Sequence, residues 1–205
     1  VATYLAHLHS TTPHYPGSPL WTQMVLRPQD KLRLYERHPS TYRQLQQQFS
    51  QDKRVRVVVG DGLQALATLT PPKQALGLTL IDPPYEQQGE YAATLTALSQ
   101  AYQRWPNCGY LLWYPLVRDL PRSFPSQLRL QMPASAQVEF ELYPKNLPIG
   151  LNGCGLLLLN APETLLIQIP TWLAWLAHQW TTEHTQPKWQ VISWSGTNPE
   201  WAKHG

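Results

Sequence analysis

The sequence predicts an α/β fold built on a mostly parallel sheet with an antiparallel strand near one edge. Three observations carry that prediction. Strand-like and helix-like stretches alternate from Leu32 to Tyr114, the pattern of parallel strands joined by crossover helices. Three successive strand-like runs lead to an acid: Leu32 to Glu36, Val55 to Asp61, and Leu78 to Asp82. After Tyr114, β-rich stretches follow one another with little helix between them, which places antiparallel strands late in the sheet. The 205 residues suffice for one domain with a real core. No repeat, low-complexity tract or linker divides them, so residues 1–205 read as a single domain.

Composition narrows the function classes. Hydrophobic residues make up 42% of the chain and charged residues 14%, which excludes a disordered chain. The formal charge of +3 permits contact with nucleic acid without demanding it. The basic residues form two small clusters, Lys31/Arg33/Arg37 and Lys53/Arg54/Arg56; each taken alone reads as ordinary solvated charge. Cys108 and Cys154 form no C-x-x-C pattern, and the histidines show no ligand spacing, so no metal is expected. No run of 18 apolar residues and no signal peptide is present, so a reducing, cytoplasmic setting without a membrane partner is expected. The chain opens at Val1 inside the helix-like stretch Tyr4-Leu5-Ala6-His7-Leu8, and further sequence upstream is expected.

The elements follow in order. Pro13 to Pro19 is a rigid loop; Ser18 is an N-cap and Pro19 the first residue of a helix reaching Leu26. Leu32 to Glu36 alternates as a strand, and His38-Pro39-Ser40 opens a helix to Phe49 with Leu45 and Phe49 on one face. Val55 to Val59 is a β-branched strand, followed by Gly60-Asp61-Gly62 and a helix to about Leu69. Leu78 to Ile81 is a buried strand that Pro83 and Pro84 terminate, since neither can donate a ladder hydrogen bond. Glu90 to Trp105 has the spacing of an amphipathic helix, with Tyr91, Leu95, Leu98 and Tyr102 on its apolar face. Gly109 to Tyr114 is a strand ended by Pro115; Arg118 to Pro133 holds a short helix and a loop. Val138 to Tyr143 and Gly155 to Asn160 are strands around a Pro/Gly/Asn-rich loop. Thr164 to Trp180 is a helix that Pro170 should kink or restart, and Trp189 to Trp194 a last strand. The late tryptophans (172, 175, 180, 189, 194 and 201) read as core and helix–sheet packing.

Acids at the carboxyl ends of parallel strands face the edge where open α/β sheets bind ligands. Glu36 can accept from two ribose hydroxyls, Asp61 from an exocyclic amine, and Asp82 faces the reacting group. A lone strand-ending acid is more often a turn former or helix cap; three in succession, the last in Asp82-Pro83-Pro84-Tyr85, favour function. That tetrapeptide arises by chance in about one chain in a thousand of this length. Its chemistry suits methyl transfer to an amine on a flat base. Such an amine is a poor nucleophile, because its lone pair is delocalised into the ring. The Asp82 carboxylate and the Pro83 carbonyl can each accept one N–H, which favours a pyramidal nitrogen with its lone pair free. Tyr85 can stack on a base swung out of its helix. No phosphate-binding G-x-x-x-x-G-K-[ST] and no G-x-S-x-G nucleophile motif occurs.

These stretches resemble the bacterial large-subunit ribosomal RNA adenine-N6 methyltransferases of the RlmJ type. The resemblance rests on Tyr15-Pro16-Gly17-Ser18-Pro19, Glu36-Arg37-His38-Pro39-Ser40, Asp61-Gly62, Leu80-Ile81-Asp82-Pro83-Pro84-Tyr85-Glu86, Leu112-Trp113-Tyr114-Pro115 and Val191-Ile192-Ser193-Trp194, collinear over almost the whole chain. It implies a class I, Rossmann-like methyltransferase fold that uses S-adenosylmethionine, with 23S ribosomal RNA as partner; a monomer is expected. It implies Ser18 at the methionine end of the cofactor, Glu36 on its ribose, Asp61 on its adenine with Gly62 beside it, and Asp82 as catalytic acceptor. The family's N-terminal segment, with its first strand, Gly-rich cofactor loop and histidines, is not found here. Weak cofactor binding by these residues alone is therefore expected. Two alternatives stay open on the residues: an enzyme acting on DNA adenine, and a non-catalytic remnant that only binds RNA.

Overall fold

The computed structural model describes residues 17–68, 76–118, 120–121, 124–132, 135–143 and 150–194. The expected helix at Tyr4 to Leu8, the helix end predicted near Leu69 and Trp201 lie outside them. The chain forms two compact units, Val1–Ala65 and Leu66–Gly205, each described by itself.

In the first unit, helix α1 (Ser18–Val25) precedes strand β1 (Leu32–Glu36), helix α2 (Pro39–Gln48) and strand β2 (Val55–Val59). The strands pair in parallel, Leu32 beside Val55 through Glu36 beside Val59, as a crossover through α2 requires. The N-cap of α1 is Gly17, not Ser18, and no side chain caps it; Pro19 does stand in the first turn. The start of β2 is tied to α1. Asp52 takes three hydrogen bonds from the Arg54 guanidinium and one from Gln23 Nε2 at 2.8 Å, while Arg54 Nη1 donates to Leu26 O at 2.7 Å. Helix α3 (Gly62–Ala67) spans the boundary between the units.

The second unit holds β3 (Leu78–Ile81), α4 (Gly89–Arg104), β4 (Gly109–Leu116), α5 (Phe124–Gln131), β5 (Ser135–Glu141), β6 (Gly153–Leu159), α6 (Glu163–Trp180) and β7 (Lys188–Trp194). Its sheet has the order β3-β4-β6-β5-β7. Only β3 and β4 pair in parallel; β4–β6, β6–β5 and β5–β7 are antiparallel. The class is α/β as predicted, but the antiparallel part is four strands wide rather than one strand at an edge. In the chain, α5 lies between β4 and β5 and α6 between β6 and β7.

Four local expectations change. β3 is a strand as expected but not a buried one: Leu78 and Leu80 are exposed and only Ile81 is buried. β4 continues through Pro115, which lies opposite Cys154. Leu116 O faces β6, accepting from Asn152 N at 2.9 Å. Alternation therefore points Pro115 away from β6, on the side where β3 has already ended opposite Leu112, and no ladder bond is lost. α6 does not restart at Pro170 but runs through it as one helix, with Ile169 and Leu173 buried against the sheet to either side of the missing bond. The tryptophans are less buried than expected: Trp172, Trp175, Trp180 and Trp189 all stay exposed. Aliphatic residues of β5, β6 and α6 fill that core instead, and Trp180 covers Phe140 edge-on at 5.6 Å.

A buried polar network locks the antiparallel half. Tyr114 Oη and Gln137 Nε2 each donate to Glu139 Oε1 at 2.8 Å, Gln137 Nε2 also donates to Tyr114 Oη, and Gln190 Nε2 reaches Glu139 Oε2. Burial first, then the Glu139 charge, raises the Tyr114 pKa far above the tyrosine range and keeps the phenol a donor. Gly155 makes room for that ring: a Cβ there would lie 2.0 Å from Tyr114 Cζ. At the start of β3, a Cβ on Gly77 would lie 2.1 Å from Trp105 Cη2.

Candidate functional site

In the first unit, Glu36 closes β1 and Asp61 follows β2 by two residues. The two chain ends are stitched together by Gly60 N donating to Glu36 O at 3.1 Å, with Gly60 at φ +154°, a conformation that favours glycine. Both acids therefore emerge at the carboxyl edge of one parallel pair. Each spends one oxygen locally. Glu36 Oε1 accepts the His38 N–H at 2.6 Å, and Asp61 Oδ1 accepts Leu63 N–H at 2.8 Å and Gln64 N–H at 3.2 Å, capping α3. Asp61 thus performs the structural task that sequence reasoning held against it. Among the described residues nothing donates to Glu36 Oε2 or Asp61 Oδ2, and these remain open acceptors. Gly62 opens α3; a Cβ there would meet only Tyr35 Cβ, at an ordinary 3.7 Å. Ser18 is exposed at the start of α1, and its carbonyl accepts from Thr22 Oγ1 at 2.9 Å.

In the second unit, Asp82 follows β3 directly, with Pro83, Pro84 and Tyr85 leading toward α4. Asp82 is exposed, yet the protein around it strips part of its hydration and raises its pKa above the usual aspartate value. No described residue donates to its carboxylate or to the Pro83 carbonyl. Tyr85 has φ +52°, a left-handed conformation that costs a non-glycine residue roughly 1–3 kcal/mol. Its surroundings hold it there. The phenol donates to Trp113 O at 2.9 Å, and the ring stands 4.6 Å from Tyr91, 6.3 Å from Trp113 and 6.5 Å from Phe124. Burial first, then Tyr91, keeps the Tyr85 phenol un-ionised far above neutral pH.

The sequence identified Tyr85 but not its supports. Tyr91 was legible as a residue of the apolar face of α4. Phe124, which also meets Tyr91 at 5.1 Å and Tyr114 at 5.5 Å, sits in a stretch with weak periodicity and gave no signal. Glu36 and Asp61 come together in one sheet, and Asp82, Pro83 and Tyr85 in the other.

Comparison with known proteins gives one consistent family. The profile of the family described as "Ribosomal RNA large subunit methyltransferase D, RlmJ" matches residues 5–194. The Escherichia coli protein named ribosomal RNA large subunit methyltransferase J is 36% identical over 183 residues, covering 87% of this chain and 65% of that protein. The Haemophilus influenzae protein of the same name is 34% identical over 185 residues, covering 85% of this chain and 66% of that protein. The crystal structure of protein LPL1258 from Legionella pneumophila superposes with a TM-score of 0.80 at 33% identity, over 87% of this chain and 66% of that one. The chain thus spans just under two thirds of the length of these relatives.

Proposed function

Because the chain belongs to the RlmJ family of ribosomal RNA large-subunit methyltransferases, with its class I, Rossmann-like fold, we propose that it transfers a methyl group from S-adenosylmethionine to the N6 amine of an adenine in 23S ribosomal RNA. The observation that carries this reading is the state of Asp82: an uncommitted carboxylate of raised pKa at the end of β3, beside a strained and anchored Tyr85.

In this reading the Asp82 carboxylate and the Pro83 carbonyl accept the two amine hydrogens, so that the nitrogen lone pair is withdrawn from the ring. Pro84 restricts the backbone that carries the Pro83 carbonyl, and an acceptor placed before the substrate arrives is where electrostatic catalysis gains most. The raised pKa makes Asp82 the stronger proton acceptor as positive charge develops on nitrogen. Tyr85, backed by Tyr91, offers its ring to the flipped base. S-adenosylmethionine supplies an electrophilic methyl group when bound. The open oxygens Glu36 Oε2 and Asp61 Oδ2 fit its ribose hydroxyls and adenine amine, Gly62 leaves room beside that adenine, and Ser18 is assigned to the methionine end. The enzyme is read as a cytoplasmic monomer; no helix among the described residues is long and apolar enough to cross a membrane, and none of their side chains cluster as a metal site.

Label transfer from S-adenosylmethionine at high concentration to protein-free 23S ribosomal RNA, with duplex DNA alongside, tests the reading. Label in the RNA alone is the expected result. Label in the DNA alone would replace the substrate, and label in neither with RNA still retained would leave a binding protein.

A further inference from the structure

The register of the small sheet joins the two basic clusters that the sequence kept apart. Arg33 of β1 lies directly beside Arg56 of β2, both on the same face and both exposed. Two residues on, the same face carries Tyr35, 38% exposed, beside Val58. Lys31, also exposed, stands two residues ahead of Arg33. Like charges abreast on a sheet repel and destabilise it, and here nothing local neutralises them. Of the four acids of residues 17–65, Asp30 pairs with Arg27 and Asp52 with Arg54, while Glu36 and Asp61 make local backbone bonds and no ion pair to either arginine among the described residues. Neither Arg33 nor Arg56 has an ion-pair partner among the described residues.

We infer that the Arg33–Arg56 face of the β1–β2 sheet binds the phosphate backbone of a single RNA strand, with Tyr35 as a platform for one of its bases. Two guanidinium groups on adjacent strands offer forks of N–H donors to successive phosphates, and an aromatic ring beside a basic track is how single strands are held without sequence preference. The inference rests on the reading that RNA is the partner, and it assigns residues apart from Asp82, Glu36 and Asp61.

The test is the salt dependence of binding to a single-stranded oligoadenylate, measured by fluorescence anisotropy without S-adenosylmethionine. Each phosphate contact on a single strand contributes about 0.7 to the slope of log K against log salt. Arg33→Gln with Arg56→Gln should therefore lower the slope by about 1.4, and Arg33→Lys with Arg56→Lys should restore it. Arg129→Gln, on the exposed face of α5, should leave it unchanged. Tyr35→Ala should weaken binding about tenfold at every salt concentration with the slope intact, since a stack of roughly 1–3 kcal/mol carries no charge. All four positions are exposed, and thermal midpoints confirm that the variants fold. An unchanged slope in the Gln double variant overturns the inference while leaving methyl transfer by the wild-type chain untouched. A lowered slope in a chain that methylates no RNA would uphold this surface and overturn the enzymatic reading instead.

Discussion

Residues 17–65 bury one side chain, Phe49, whereas the second unit encloses Leu98, Leu112, Tyr114, Phe124, Leu128 and Leu157 almost completely. Charge divides the other way. Residues 1–65 contain eight Lys and Arg against four Asp and Glu, a balance of +4; residues 66–205 contain eight against nine, a balance of −1. The chain's net +3 therefore belongs entirely to the unit with the smaller core. The difference teaches where each kind of work can be done. A strained Tyr85 and a carboxylate of raised pKa need a rigid, partly dehydrated wall, and the five-stranded sheet supplies it. A polyanion needs only accessible, unneutralised cations on a firm surface, and a two-stranded sheet stapled by Asp52 and Arg54 is enough.

The sharpest way to break this division is at Asp82. Asp82→Asn should lower kcat about 100-fold or more, the scale for losing a preorganised electrostatic group, with oligoadenylate affinity unchanged. Its stability should not fall. The folded pKa of Asp82 lies above its unfolded value, so ionisation opposes folding as pH rises through that window; at neutral pH the Asn variant should melt at the same temperature or higher. For the same reason wild-type activity should decline as pH drops through the raised pKa. A large loss of RNA affinity in Asp82→Asn would mean the two tasks are not separate.

Gly155→Ala probes the rigid wall itself. Its Cβ meets the buried, hydrogen-bonded Tyr114 ring, so the ring must move, at a cost of roughly 3 kcal/mol. Chemical denaturation measures it, and a neutral result would show the wall to be soft.

Asp52→Asn tests the staple in the first unit. Arg54 first, then Gln23, hold the Asp52 pKa well below the aspartate range. Its contribution is therefore fully present above the unfolded value and lost as pH falls through the folded one. The variant should melt below wild type at neutral pH, with the gap closing in strong acid; a gap that persists there would assign the effect to packing. Smallest of all, Gly62→Ala should leave the fold unchanged or more stable by about 0.5 kcal/mol, because its Cβ finds ordinary contact distance. Any loss of S-adenosylmethionine affinity in that variant, read by calorimetry, then reports on the cofactor.

The strands were legible because short apolar and β-branched runs are bounded by prolines, glycines and acids; β1, β2 and β3 begin and end where the pattern says. Asp82 stood out because chemistry and turn residues share one tetrapeptide. What a sequence does not carry is register and long-range contact. Arg33 and Arg56 are 23 residues apart and become neighbours only through β1–β2 pairing. Phe124 supports Tyr85 across 39 positions. Pro115 continues a strand because β3 stops short beside it, and the exposure of Trp172 and Trp175 depends on which face of α6 meets the sheet. Each of these is decided by a partner that local pattern cannot name.

The central claim is that Asp82 and Pro83 present an adenine amine for methylation. Nuclease digestion of 23S ribosomal RNA treated with the wild-type chain and S-adenosylmethionine, followed by mass spectrometry of the nucleosides, tests it most directly. The account predicts N6-methyladenosine from the wild type and none from Asp82→Ala. Methylation at another position of the base, or N6-methyladenosine at the wild-type level from Asp82→Ala, would contradict it.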